Sequence, residues 1–359
     1  MAIKVGIIGC GNISSIYLEN SRRFSEFEIV ACAALEMAKA KEAADKYNIE
    51  HTSVGEMLAS PHIDLVLNLT VPHAHATVTL QAIEQKKHVY TEKPLAISFE
   101  DGKKIRDTAR LQNVKIGSAP DTFLGGSIQL AGQLIEEGFI GKPVGATAFM
   151  MSRGPESWHP NPEFFYHVGG GPMFDMGPYY LTTLVSLLGP VSRITGSARI
   201  TFPDRTITSP AKYGEKITVQ VPTHVTGILD FKDGPTATIT TSFDVSAART
   251  PFIEIYGEEG TISLPDPNHF NQPVLVKRQG ENEWKEVKTE GDVSDNLRGI
   301  GLADMAEAIE SERIPRASGD MALHVLEIMH GIHQSSEQGA HYKMETTCSR
   351  PILLNTKIH

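Results

Sequence analysis

The first 120 residues alternate short apolar runs with amphipathic segments of helical period. The apolar runs are IKVGIIG (3–9), FEIVACAAL (27–35), DLVLNLT (64–70), HVY (88–90) and VKIGSA (114–119). The intervening segments predict helices at about 13–23, 75–85 and 98–111, and one after the second apolar run that ends at residue 47. Nearly continuous apolar strands joined by helices are typical of a parallel sheet that is buried on both faces. The pattern predicts a doubly wound α/β domain.

After Phe123 this strand–helix repeat gives way to alternating, β-rich segments. A helix is predicted at about 127–137, and short strands separated by turn sequences such as KDG and GEEG run from Val191 to about Val287. They predict a mostly antiparallel sheet with a helix at 172–188 packed on it. Two further helices are predicted at about 297–311 and 321–338.

The change of pattern divides the chain into two predicted domains, 1–122 and 123–359, with the last helices able to pack back on the first domain. A length of 359 residues suits two domains. The net charge of −10 argues against nucleic acid as a partner, because phosphate binding needs clustered Lys and Arg. Three scattered cysteines predict neither a disulfide framework nor a metal site, and no segment resembles a secretory signal or a membrane span. We expect a cytoplasmic protein.

The first strand runs directly into a glycine-rich turn, Gly9-Cys10-Gly11-Asn12-Ile13-Ser14. The first two glycines of a G-x-G-x-x-G turn are present, and serine replaces the third. Such a turn lets the backbone approach a pyrophosphate where a helix begins. Its place after the first strand of a βαβ pattern predicts dinucleotide binding, with Gly9, Gly11, Asn12 and Ile13 as contacts.

The second strand ends without the acidic residue that would bond to the adenosine ribose. It reads Ala33-Ala34-Leu35-Glu36, and lysines follow at 39 and 41. Glu36 can replace the missing carboxylate, with Leu35 beside the cofactor. Alternatively, the loss of negative charge makes room for the 2′-phosphate of NADP, or Glu36 is an exposed residue that only stabilises a helix start. NAD and NADP both stay open.

Polar turns follow the fourth and fifth strands, at the ligand edge of such a sheet. Thr70, Pro72 and His75 come after the fourth strand, and Glu92 and Lys93 come after the fifth. A lysine directly before proline is held extended, so its side chain is directed rather than loose. We expect all five residues at the cofactor, although a surface lysine would give the same pattern.

A second candidate site lies in GGGPMFDMGPYYLTTL, residues 169–184, where Asp175 carries the one charge. A buried ion costs several kcal/mol unless it is paired or hydrogen-bonded. Asp175 is therefore either a cap on a buried helix or part of a site. Just before it, WHPNPEFFYH contains Trp158, His159 and His167, which can contact a sugar or serve structural roles.

Together, GCGNIS, the Pro72/His75 turn, EKP at 92–94 and GGGPMFDMGPYY resemble the glucose–fructose oxidoreductase / inositol dehydrogenase / rhizopine-catabolism family of NAD(P)-dependent dehydrogenases. The resemblance runs over essentially the whole chain. It implies a Rossmann domain followed by an α/β domain whose open sheet forms a homodimer or homotetramer. It also implies oxidation of a sugar, inositol or polyol carbinol, with Lys93 as the catalytic lysine and Asp175 as the motif aspartate.

The sequence departs from the family pattern at three places. The family's D-x-x-x-H motif has histidine four residues after the aspartate, where this chain has Tyr179. The acidic ribose-binding position is Ala34, and Pro120-Asp121-Thr122-Phe123 stands where an arginine is common. We expect Tyr179 to assist Lys93 and Asp175 at the substrate.

Three functions fit these residues. The first is a dehydrogenase, in which hydride passes to NAD or NADP while Lys93 takes the hydroxyl proton. The second is an NAD-retaining glycosidase that works by transient oxidation and elimination. The third is a non-catalytic regulator that binds dinucleotide or sugar, against which the retention of Lys93 and Asp175 argues.

Overall fold

The computed structural model describes residues 2–288 and 295–354. The chain divides into two compact units. The first consists of Met1–Leu124 and Asn296–Leu326, and the second of Gly125–Asp295 and Glu327–His359. Each unit is therefore built from two separate stretches of the chain.

The first unit contains a six-stranded parallel sheet. Its strands are β1 (Ile3–Ile8), β2 (Phe27–Ala33), β3 (Glu50–His51), β4 (Leu65–Asn68), β5 (His88–Thr91) and β6 (Ile116–Ser118). Their order, β3-β2-β1-β4-β5-β6, reverses direction at β1/β4, where ligands bind in such folds. Strand β4 is buried throughout, as its unbroken apolar run predicts. The predicted Rossmann fold is confirmed.

Helices connect these parallel strands. They are α1 (Ser14–Asn20), α2 (Met37–Tyr47), α3 (Val54–Ala59), α4 (Pro72–Glu84) and α5 (Phe99–Gln112), and α9 (Ile300–Glu310) belongs to the same unit. The sequence analysis missed β3 and α3, because both residues of β3 are exposed and show no apolar pattern. The start of α3 carries a capping box between Ser53 and Glu56, a signal that could have revealed it.

The second unit contains a nine-stranded, mostly antiparallel sheet. Its strands are β7 (Pro143–Met151), β8 (Val191–Arg199), β11 (His224–Phe231), β12 (Thr236–Ser242), β13 (Ile253–Gly257), β14 (Gly260–Leu264), β15 (Val274–Arg278), β16 (Lys285–Val287) and β17 (Tyr342–Lys343). They are arranged as β16-β15-β14-β13-β7-β12-β11-β8-β17. The β7–β12 pair is parallel and the other pairs are antiparallel. The predicted open, mostly antiparallel sheet is confirmed, and it contains one parallel pair of strands.

Two details of the second unit differ from the sequence prediction. The EKITVQV segment does not join the large sheet, because its strand β10 (Lys216–Thr218) pairs with β9 (Asp204–Thr206) in a two-stranded sheet. The helix predicted at 172–188 is two helices, α7 (Gly171–Asp175) and α8 (Gly177–Leu188), separated at Met176. Local alternation does not specify a strand's partner, and an apolar run does not reveal a one-residue break.

Helices cover one face of the large sheet. They are α6 (Gly126–Glu136), α8 and the C-terminal part of α10 (Gly319–Gln338), whose Ile332 lies against Gly196 and Gly227 of β8 and β11. Every residue of α8 is buried, which explains why this helix contains no charged side chain. Among the described residues, no helix has the length and apolarity needed to cross a membrane.

Candidate active site

The turn between β1 and α1 has the backbone of a dinucleotide-binding loop. Gly9 has a φ of +109°, and a Cβ there would lie 2.5 Å from the Leu69 carbonyl oxygen. A Cβ on Gly11, in contrast, would meet nothing within 4 Å. Ser14 Oγ donates to the Gly11 carbonyl at 2.7 Å, so serine closes the turn where the third glycine is missing. The open space at Gly11 fits the close approach of a pyrophosphate.

The end of β2 leaves the ribose position without a fixed carboxylate. Leu35 is fully exposed, at 100% of its accessible surface. Glu36 is also exposed and pairs with Lys39, with 2.7 Å between its Oε1 and the lysine Nζ. Asn12 is exposed and Ile13 half-buried beside the turn. The structure thus leaves Glu36 and Lys39 together as an ion pair, compatible with either cofactor.

Two cysteines meet beneath the same turn. Cys32 of β2 is buried, and its Sγ donates to the Ala40 carbonyl at 3.2 Å. Cys10 is half-buried, and its Sγ lies 3.7 Å from the Ala33 carbonyl oxygen. The neighbouring Cys32 thiol lowers the pKa of the Cys10 thiol, and this outweighs the effect of burial, which raises it. The sequence offered no sign of this contact, because the two thiols are 22 positions apart.

The loop after β4 is held by Asn68. Its amide nitrogen donates to the His75 carbonyl and to Thr79 Oγ1, both at 3.1 Å, and its Oδ1 accepts from Thr70 Oγ1 at 2.7 Å. Pro72 begins α4, where its missing N–H costs nothing. Thr70 and Pro72 are half-buried. The predicted cofactor loop is therefore held by hydrogen bonds from within the protein.

His75 links that loop to the turn after β5. Its side chain is 1% exposed, and its ring nitrogens lie 2.7 Å from the Pro94 carbonyl oxygen and 2.9 Å from the Thr70 carbonyl oxygen. Burial lowers the pKa of His75, and the two carbonyls raise it. Both ring nitrogens lie against backbone carbonyls, and the cofactor contact expected of His75 stays a prediction.

Glu92 and Lys93 follow β5 and are half-buried. Glu92 Oε1 accepts a hydrogen bond from Tyr17 Oη at 2.9 Å, and Oε2 accepts from the Lys93 backbone N–H at 3.0 Å. Tyr17 lies on α1, which follows the glycine-rich turn. Through these two hydrogen bonds, the carboxylate of Glu92 bridges the backbone of Lys93 and helix α1, which starts at the cofactor loop.

Asp121, at the position where the resemblance led us to expect arginine, has a structural role. Its Oδ2 accepts hydrogen bonds from the backbone N–H groups of Gly299 and Gly301, at 2.9 and 3.1 Å. Asp121 is thus a cap for the start of α9, provided from a distant part of the chain. Burial raises its pKa to about 6.

Asp175 and Tyr179 lie on either side of the break at Met176. Asp175 is the last residue of α7 and is half-buried, whereas Tyr179 is buried in the first turn of α8. Phe174, next to the aspartate, packs edge-on against His330 and His333 of α10, with ring centroids 5.0 and 5.6 Å apart. The helix that carries Asp175 is therefore held by an aromatic contact.

Trp158 and His159 belong to an aromatic cluster on the segment before α7. Trp158 is 66% exposed and contacts His159 and Phe165 edge-on, with centroids 5.4 and 6.3 Å apart. Phe165 in turn packs against Phe243 at 6.3 Å. His167 is exposed and is not part of these ring contacts. The cluster leaves an indole face open to solvent.

A buried ion cluster fixes the base of that segment. Arg205 is almost fully buried, donates to Glu156, and donates to Asp244 Oδ1 at 2.7 Å. It also donates to the carbonyls of Arg153 and Phe243, at 2.6 and 2.7 Å. Charge-assisted hydrogen bonds of this kind are stronger than neutral ones. No local pattern indicates the cluster, because its members come from three separate segments.

Fold and turn together define a nicotinamide-dinucleotide-dependent oxidoreductase with a Rossmann domain. Residues 3–119 match the oxidoreductase family with an NAD-binding Rossmann fold, and residues 128–263 match the GFO/IDH/MocA C-terminal domain. The chain belongs to this GFO/IDH/MocA family. The resemblance read from GCGNIS, EKP and GGGPMFDMGPYY is confirmed, as are an enzyme of the oxidoreductase class and NAD or NADP as its cofactor.

Named relatives cover most of the chain. Myo-inositol 2-dehydrogenase of Thermotoga maritima is 24% identical over 281 residues, 78% of this chain and 80% of that protein. The 1,5-anhydro-D-fructose reductase of Ensifer adhaerens is 28% identical over 323 residues, 88% of this chain and 90% of that protein. An NAD-binding oxidoreductase from Klebsiella pneumoniae has the same fold, with a TM-score of 0.82, 24% identity, and coverage of 95% and 98% of the two chains.

Proposed function

We propose that the protein is a dehydrogenase that oxidises a secondary hydroxyl of a cyclic polyol or sugar with NAD or NADP, or reduces the corresponding carbonyl. The observation that carries the proposal is Lys93, held on the NAD-binding unit by Glu92 at the end of a parallel strand. The names of the relatives support the substrate class, because one acts on an inositol and another on an anhydro sugar.

The bound dinucleotide would supply the hydride acceptor or donor. Gly9 and Gly11 would carry its pyrophosphate, since a Cβ at Gly11 has open space around it. Lys93 would take the proton of the reacting hydroxyl in oxidation and return it in reduction. Asp175 would accept a hydrogen bond from the substrate or the lysine, and Tyr179 would orient the substrate through its phenol.

Trp158 would form part of the sugar subsite. Its exposed indole offers a flat apolar surface of the kind on which the C–H face of a pyranose or inositol ring packs. His159 is in edge contact with the indole, and His167 is exposed on the same segment. Both histidines are secondary candidates for hydrogen bonds to ring hydroxyls.

The proposal is tested by a panel of inositols, aldoses, anhydro sugars and glycosides, with the absorbance of reduced nicotinamide as readout and both cofactors supplied. We expect turnover on at least one polyol or sugar. Lys93→Met should lower kcat by about 10²–10⁴, the usual effect of a positioned acid–base group, and leave cofactor binding intact. Lys104→Met, an exposed lysine on α5, is the matched control.

Two results would contradict the proposal. Release of a sugar from a glycoside without net NADH formation would point instead to the NAD-retaining glycosidase. A Lys93→Met enzyme within a few-fold of wild type would remove the lysine from the mechanism.

We also propose that the uncovered face of the large sheet joins copies of this chain into a homodimer or homotetramer. Thr226 and Ile228 of β11 point away from the helices, and Ile228 is 43% exposed in the middle of its strand. Light scattering should give an oligomer for wild type and a smaller species for Ile228→Asp. Ile314→Asp, an exposed isoleucine of the first unit, is the control. A monomeric wild type would overturn this assignment.

A further inference from the structure

His75 is buried between two carbonyl oxygens from different loops of the first unit. One belongs to Thr70, after β4, and the other to Pro94, the residue that follows Lys93. The contacts are short, 2.7 Å to Pro94 and 2.9 Å to Thr70. The histidine thus spans from the loop after β4 to the Pro94–Leu95 peptide, one peptide beyond the lysine.

Two carbonyl partners make unusual demands on an imidazole. A neutral ring has one N–H donor and one acceptor nitrogen, whereas a carbonyl oxygen can only accept. Neutral His75 therefore satisfies one contact and sets a lone pair against the other carbonyl. The imidazolium donates to both, at the cost of burying a charge. The charged groups that face the ring are Glu92, which favours this form, and Lys93, which opposes it.

We propose that His75 is a positioning residue for the reaction, whose Nδ1 N–H holds the Pro94 carbonyl, one peptide beyond Lys93, beside the loop after β4. This inference rests on the proposed function of Lys93. Its reason is geometric: a displacement of about 1 Å at a reacting group can cost about 100-fold in rate. His75 fixes the carbonyl one peptide beyond Lys93, and Glu92 fixes the lysine's own backbone N–H.

Substitutions separate the two contacts of the ring. Asparagine places its amide nitrogen close to the position of Nδ1 and can keep the bond to Pro94. Glutamine places its amide nitrogen near Nε2 and can keep the bond to Thr70. If the Pro94 contact positions the lysine, His75→Asn should retain more activity than His75→Gln, and His75→Ala should lose about 10- to 100-fold in kcat.

The experiment measures kcat, KM, NADH affinity and thermal midpoint for His75→Asn, His75→Gln and His75→Ala. His73→Asn, an exposed histidine two residues earlier on α4, is the control. We expect kcat to fall most for His75→Ala, less for His75→Gln and least for His75→Asn. KM and the affinity for NADH should stay within a few-fold of wild type in all three variants. A loss that follows thermal midpoint rather than this ranking would reduce His75 to a purely structural role and overturn the proposal.

A measurement on the wild-type enzyme tests the proposal even if the variants fail to fold. Nitrogen NMR of histidine-labelled protein reports whether Nδ1 and Nε2 of His75 both carry protons. Two protonated nitrogens, or a single proton on Nδ1, keep the bond to Pro94 and support the proposal. A proton on Nε2 alone would leave Pro94 without a donor and overturn it. If Lys93→Met is inactive but His75→Ala is not, this inference fails and the proposed function stands.

Discussion

Tyr179 replaces the histidine of the family motif at a buried position on α8. An ordinary histidine titrates near pH 6.5 and exchanges protons under physiological conditions, whereas an ordinary tyrosine titrates near 10. The phenol can still donate one hydrogen bond and accept others. We therefore expect proton transfer in this chain to depend more heavily on Lys93.

Tyr179→Phe should lower kcat by about one to two powers of ten, less than Lys93→Met, because it removes a hydrogen bond and leaves the base in place. The main ionisation in the pH–rate profile should remain. Tyr213→Phe, at an exposed tyrosine, is the control. If Tyr179→Phe matched Lys93→Met and abolished that ionisation, tyrosine would be the base. An unaffected enzyme would leave Tyr179 as a packed aromatic.

Cofactor preference depends on the end of β2, where Ala34 supplies no carboxylate and Glu36 is paired with Lys39. We predict that wild type uses NADP alongside NAD, and that Ala34→Asp shifts the ratio of kcat/KM towards NAD, because a carboxylate there repels a 2′-phosphate. Ala38→Asp, an exposed position in the first turn of α2, adds the same charge as a control. A wild type strictly selective for NAD would show that Glu36, or another group still to be identified, takes the place of the missing carboxylate.

Helix α9 depends on a single carboxylate at its start. Asp121 accepts from Gly299 and Gly301, and burial raises its pKa to about 6, above the value of about 3.9 expected in the unfolded chain. The folded state therefore holds this proton more tightly. Its ionisation costs stability as the pH rises from about 4 to 6, and the cost is constant above that range.

Asp121→Asn keeps an acceptor for the two N–H groups without the buried charge. We predict that the free energy of unfolding of wild type falls, relative to Asp121→Asn, as the pH rises from 4 to 6. Asp121→Ala should lose about 1–3 kcal/mol at all these pH values, because it leaves two buried N–H groups without an acceptor. Urea titrations at several pH values measure both effects, and a constant difference between wild type and Asn would refute the pH argument.

The helices and strands that have a clear hydrophobic periodicity could be predicted from the sequence. The strands of the parallel sheet are continuous apolar runs, and GCGN follows the first of them, so fold and cofactor turn could be read from the sequence. The two-residue β3 and the break at Met176 have no periodic signal. The contacts of His75 with Pro94, and of Tyr17 with Glu92, join positions 19 and 75 residues apart, and no local pattern encodes them.

At the scale of the whole molecule, the NAD-binding unit is not contiguous in the chain. Residues 296–326 complete it, because Ser118 N–H of β6 donates to the Ala317 carbonyl at 3.0 Å. In addition, Asn20 Nδ2 donates to the Asn296 carbonyl at 2.7 Å. Leu323 and Leu326 lie where a side chain on Gly102 of α5 would stand. A cut after residue 124 would expose this apolar surface and leave Asp121 without its helix.

We predict that a fragment of residues 1–124 does not fold stably, whereas the same fragment joined by a flexible linker to residues 296–326 folds and binds NADH. Circular dichroism with thermal melting, and NADH fluorescence, distinguish the two. A cooperative melt and NADH binding by the shorter fragment would show that the second stretch is dispensable.

The contact between Cys10 and Cys32 has a practical consequence. Cys10 lies in the turn that a dinucleotide approaches, and its lowered pKa favours reaction with an alkylating reagent. Cys348, half-buried in the second unit, offers an internal reference, while Cys32 is shielded by burial. The ratio of alkylation at Cys10 to that at Cys348, read by mass spectrometry, then becomes an occupancy gauge for NAD and NADP. The measurement needs no turnover, so the affinities for NAD and NADP can be compared without a sugar or polyol substrate.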